Sequence, residues 1–163
     1  MNENANRRQT LRDDELDPAL SEVSRTVIGC AIEIHKELGP GFDRSVYENA
    51  LAADLKAKNV EHRLRPEIEV LYNDQEVGRF TVSLEVDDRF VVEILSDPND
   101  VGGIERDALR AKIKNAELDM GLIVNFARRR LRDGLVRVLN PERIDELRGE
   151  GSDDDDHDDD SEG

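Results

Sequence analysis

The chain has 163 residues, carries 38% charged residues and has a formal net charge of −16. That length suits one domain of ordinary size with ragged ends. The single cysteine, Cys30, rules out an intrachain disulfide and a thiolate metal cluster, and the scattered His35, His62 and His157 show no metal-ligand spacing. No run approaches the ~18 consecutive apolar residues of a membrane span, and the first residues lack the apolar segment of a secretory signal, so a cytoplasmic protein without membrane contact is expected. The charge is uneven. Residues 150–163 hold nine acids and no Lys or Arg, and residues 1–21 hold −2, which leaves only −5 for 22–149.

Residues 1–21 are polar and charged and are expected to be flexible, with Asp17 or Ser21 as a helix N-cap. From Glu22 to Leu38, Val23, Val27, Cys30, Ala31, Ile34 and Leu38 recur at three- and four-residue steps, one face of an amphipathic helix. Cys30 falls on that face, where a buried, inert thiol is expected. Gly39-Pro40-Gly41 closes the helix. A second helix runs from Asp43 to Lys58 with Val46, Tyr47, Ala50, Leu51 and Leu55 inward.

The period then changes. His62–Tyr72 reads as a strand, with Pro66 marking an edge or bulge, and residues 73–76 as a turn. Phe80–Val86 alternates apolar and polar residues as a half-buried strand does. A turn at Asp87-Asp88 leads into Arg89–Leu95, an apolar run interrupted by Glu93. A carboxylate there is costly unless paired, metal-bound or at the sheet's functional end. Residues 96–103 form a loop, and Ile104–Leu118 a helix with Ile104, Ala108, Leu109 and Ile113 inward. Met120–Phe126 is a buried strand, Arg128–Arg132 a basic turn, Leu135–Leu139 a last strand, and Pro141 opens a short helix to Arg148. The order predicts an α/β domain over 22–149, three layers with helices flanking a mixed β-sheet. The Asp-rich 150–163 segment is expected to be disordered.

The runs IGCAIEIHKELGPGFDRSVYENALAADL at 28–55, FTVSLEVDDRFVVEIL at 80–95 and LDMGLIVNF at 118–126 resemble, in order and spacing, the GxxExxY proteins of the PD-(D/E)XK nuclease superfamily. The resemblance implies a restriction-endonuclease-like fold over about residues 22–139. It places the naming motif on Gly41, Arg44 and Tyr47, with arginine where the family has glutamate. The metal-binding aspartate falls on Ser83, and the E-x-K element on Glu93-Ile94-Leu95. The glutamine of the next helix falls on Ala108. Glu93 thus survives as a remnant, with Glu48 as a nearby acid.

Such nucleases hold Mg²⁺ between strand carboxylates and use the lysine on the attacking water, so a serine and a leucine at those positions imply a silent site. Losing an acid/base or positioning group costs on the order of 10²–10⁴ in rate. The expected function is a catalytically degenerate nuclease-like domain, a binding or regulatory module for an unknown protein partner, with no cofactor. One alternative is a Mg²⁺-dependent DNA or RNA hydrolase with relocated ligands, drawing on Glu93, Glu85 and the loop acids Asp97 or Asp100; otherwise Glu85 is a solvated strand residue. Another is a non-catalytic nucleic-acid binder using Arg128, Arg129, Arg130 and Arg132, set against the net negative charge of the rest. Arg44 is expected to replace the lost metal by reaching Glu93, directly or through Ser83 and water; the competing expectation is an Arg44 turned to solvent.

Overall fold

Helices and strands follow the order that the hydrophobic periods predict. The computed structural model describes residues 17–99 and 101–143. The expected flexible segment before residue 17, Asp100, most of the expected Pro141–Arg148 helix and the acidic 150–163 tail lie outside the described residues.

Helix α1 spans Pro18–Leu38, earlier than the predicted start, because Asp17 accepts from the Ala19 N–H and Pro18 is pre-set for a first helical position. Leu20 and Ser21, expected in the flexible segment, are therefore buried. Helix α2 spans Arg44–Ala57 and packs on α1. Among the described residues seven strands follow: β1 His62–Leu64, β2 Glu67–Tyr72, β3 Gln75–Thr81, β4 Leu84–Val86, β5 Phe90–Leu95, β6 Met120–Asn125 and β7 Leu135–Leu139, with helix α3 at Gly103–Ala116 between β5 and β6. The main sheet has the order β1-β4-β5-β6-β7, while β2 and β3 pair separately as a hairpin. The β5–β6 step is parallel and every other pairing antiparallel. This is a mixed five-stranded sheet covered by α1 and α2 on one face and by α3 with the hairpin on the other, the α/β arrangement of a restriction-endonuclease-like domain.

The two faces of β5 feed two cores. Phe90, Val92 and Ile94 pack with Tyr47, Leu51 and Val27 on the α1/α2 side, while Val91 packs with Leu109, Ile113 and Ile123 on the α3 side. Full burial of each such side chain contributes roughly 1.5–3 kcal/mol relative to exposure.

Several expectations change. The 62–72 strand is broken at Arg65, whose φ of 51° precedes Pro66, and proline cannot continue the ladder. The 73–76 turn shrinks to Asn73-Asp74, both with positive φ, as a two-residue hairpin loop requires. The 80–86 strand is really two: the chain leaves the hairpin at Thr81 and enters the main sheet at Leu84. Ile104 is 83% exposed, because nine helical steps of about 100° put it opposite the buried Ile113. Leu38 and Val46 also lie at the surface, and Ala108 is exposed. No described helix is long and apolar enough to cross a membrane.

Candidate functional site

Because β5 and β6 are parallel and β4 and β7 run against them, one end of the sheet gathers the start of β4, the end of β5, the loop after β6 and the start of β7. Ligand sites in α/β sheets lie at the carboxyl ends of the parallel strands. Here that end holds Ser83, Glu93, Asn125 and the arginine turn.

Ser83 is the hub. It falls in the break between β3 and β4, so its backbone is released from a ladder and its N–H donates to Glu93 Oε1 at 3.1 Å. Its hydroxyl donates to Glu48 Oε2 at 2.6 Å and accepts from the Ile94 N–H at 3.0 Å. One neutral residue thereby links a carboxylate from α2, through its hydroxyl, to one from β5, through its backbone N–H.

Both carboxylates are already matched by cations. Glu48, only 3% exposed, takes Arg65 Nη1 at 2.7 Å and Arg44 Nε at 3.2 Å. Arg44 therefore pairs one helical turn along its own helix rather than with Glu93, as the i,i+4 spacing favours. Glu93 takes Lys112 Nζ at 3.0 Å, and that ammonium also sits 5.7 Å from the Phe80 ring centroid. Three cations thus meet two largely buried acids.

The other expected residues are placed as follows. Leu95 packs against the α3-side core beside Phe80 and Val101. Ala108 is exposed and carries no polar group, one helical turn before Lys112 on α3. Glu85 is buried rather than solvated, because Arg63 on β1 pairs with it directly across from β4. Asp97 caps its own loop by accepting from the Asn99 N–H.

Gly41 has φ 123° and Gly39 φ 73°, so both backbone positions favour glycine. Tyr47 is a structural member of its motif. Its hydroxyl donates to the Gly39 carbonyl at 2.6 Å and accepts from the Phe42 N–H at 3.1 Å, and its ring stacks on Phe126 at 4.3 Å. Cys30 is buried, and burial raises its thiol pKa, with Asp54 adding to the effect.

Three residues here escape the sequence reading. Lys112 has a local signal: it adjoins Ile113 and lies three residues past Leu109, on the rim of the buried stripe. Arg65 has none, since its reach depends on the break before Pro66. Asn125 holds the loop after β5, accepting from Asp97 N–H and donating to the Asp97 and Asn99 carbonyls.

A hard divalent cation needs a cluster of free oxygen ligands. Among the described residues no group of three His, Cys, Asp or Glu side chains could hold a metal ion, and the two acids at the hub are spent on Arg44, Arg65 and Lys112. Mg²⁺ takes one or two carboxylates with waters and phosphate oxygens, and as paired here the hub leaves neither Glu48 nor Glu93 free to serve.

The family model of the PD-(D/E)XK nuclease superfamily matches residues 21–138. The chain belongs to that superfamily. The match runs from α1 into β7 and so takes in every element around the hub. Searches of curated proteins and of solved structures return no match.

Proposed function

We propose that this chain is a GxxExxY-type member of the superfamily that has lost metal-dependent hydrolysis and serves as a binding or regulatory module for a protein partner. The observation that carries the reading is the wiring of Ser83. Where the resemblance puts a metal-binding aspartate, a hydroxyl donates to one acid and its own N–H to another. The cations Arg44, Arg65 and Lys112 supply the balancing charge that Mg²⁺ would otherwise bring. A buried carboxylate without such a partner costs several kcal/mol, so this wiring lets the site fold without metal.

The test is cleavage of single- and double-stranded DNA and RNA by the full chain with Mg²⁺ or Mn²⁺. No cleavage beyond that of a Glu93→Gln variant is expected; metal-dependent cleavage that Glu93→Gln removes overturns the reading.

One observation favours a second reading, a nuclease with relocated parts. Lys112 comes from α3 to the side of Glu93 and supplies the ammonium that position 95 lacks. That reading requires Glu48 to leave its two arginines and ligate a metal together with Glu93. In the same assay it predicts cleavage lost on either Lys112→Met or Glu48→Gln.

A further inference from the structure

The loop after β6 is a rigid platform for arginines. His35 on α1 places Nε2 2.9 Å from the Arg128 carbonyl, which makes that nitrogen the donor. The Ala127 N–H donates to Asn125 Oδ1, Leu131 is buried, and Gly134 packs so closely on the Asn125 backbone that a Cβ there would clash. These pins leave Arg129, Arg130 and Arg132 exposed on one short turn. Arg130 has only a loose pair with Asp133 at 3.7 Å, and among the described residues Arg129 and Arg132 have no ion pair or hydrogen bond. Three exposed guanidiniums on one short turn, one loosely paired and two without partners among the described residues, form a surface suited to an anion.

We propose that the occupant is the chain's own acidic segment, Asp153–Asp156 and Asp158–Asp160, docked in cis on Arg129, Arg130 and Arg132. Charge complementarity points to it, because 150–163 carries nine acids and no Lys or Arg. Length permits it. β7 ends at the opposite end of the sheet, so the chain must return along a five-residue strand, about 17 Å. The ten residues from Arg143 to Asp153 reach about 33–36 Å when extended. Tethering favours it over an external polyanion, since a segment on the same chain acts at an effective concentration on the order of millimolar. The remainder of the domain, at −5, repels free polyanions. The segment therefore competes with any phosphate-bearing ligand for the turn, whether or not the hub retains metal chemistry.

The test compares the full chain with a variant in which those seven aspartates become asparagine. Amide NMR shifts of Arg128–Gly134 are followed between low salt and 0.5 M NaCl, and binding of single-stranded oligo-dT is followed at low salt. The turn amides should differ between the two proteins at low salt, converge at high salt, and be independent of protein concentration. The neutralised variant should bind oligo-dT at least about tenfold more tightly, and adding Arg129→Glu, Arg130→Glu and Arg132→Glu should abolish that gain.

Identical turn amides at low salt overturn the proposal. A difference that grows with protein concentration replaces docking in cis with docking between copies. Equal oligo-dT binding by the two proteins shows that the tail does not occupy the turn, and a gain that survives the arginine substitutions places the docking elsewhere.

Discussion

The two ends of the central sheet are stapled by similar parts with different balance. At the end where β5 and β6 begin, Arg89 donates to Asp119 Oδ2 and to Asp17 Oδ2, each at 2.9 Å, and Arg143 reaches Asp119 Oδ1 at 3.0 Å. Two cations meet two acids, and the network joins the α1 cap, the β4–β5 turn, the entry to β6 and the chain after β7. Burial works against the Arg89 charge, yet Asp119 and Asp17 outweigh it and raise its pKa. At the other end, where a superfamily member holds its metal, three cations meet two acids. The difference teaches that the hub shares the paired wiring of the structural end and adds a surplus of positive charge.

That comparison breaks most visibly at Glu48. Glu48→Ala removes a 3% exposed acid and strands the Ser83 hydroxyl with two guanidiniums, so a loss of about 3 kcal/mol is expected in urea unfolding. A loss under about 1 kcal/mol would show that the hub contributes little to the fold. Lys112→Met keeps the apolar stem and deletes the ammonium from Glu93. A smaller loss of about 1 kcal/mol is expected, and restoring Glu93→Gln on that background should recover part of it, because the carboxylate no longer needs a counter-ion.

At the opposite end, Asp119→Asn should also cost about 1 kcal/mol. Combined with Lys112→Met it should be additive in chemical denaturation, since the two networks share no partner.

The smallest effect lies in acid. The Ala19 N–H first, and then Arg89, hold the Asp17 carboxyl below its ordinary value of 3.8. A depressed folded value means that its stabilisation is fully present above pH 3.8 and is lost as pH falls through the folded value. Asp17 is 39% exposed, so the limb is shallow. Asp17→Asn keeps an N-cap acceptor and should flatten that limb, lowering neutral-pH stability only by the small height of the limb it removes.

Much of the fold is legible because burial imposes period. The alternation through Phe80, Val82, Leu84 and Val86 marks strand, and the apolar β5 and β6 mark a sheet covered on both faces. The same alternation hides the crossing at Val82-Ser83, since the period continues while the pairing partner changes from β2 to β5. Ile104 misleads because its apolar side chain is out of phase with the buried stripe that Leu109 and Ile113 define. At the site, Glu93 and Ser83 stand out from their apolar neighbours and Glu48 is flagged as an acid nearby. Their partners are harder to read. Arg44 lies one helical turn from Glu48, which the i,i+4 rule exposes, but the Lys112–Glu93 and Arg65–Glu48 pairs depend on how α3 and the β1–β2 break sit against the sheet.

The central claim is that the hub is balanced by side-chain cations and does not take a divalent metal. Thermal melting of the full chain and of Ser83→Asp, each titrated with Mg²⁺ and Mn²⁺, tests it most directly. A ligand that binds only the folded state stabilises it, by about 2.7 kcal/mol at a hundred times its Kd. The account predicts no metal-dependent shift in the wild type. It predicts that Ser83→Asp melts lower without metal, because a third carboxylate joins Glu48 and Glu93, and recovers as metal is added. A wild-type melting temperature that rises with Mg²⁺ or Mn²⁺, and ceases to rise in Glu93→Gln, would contradict it.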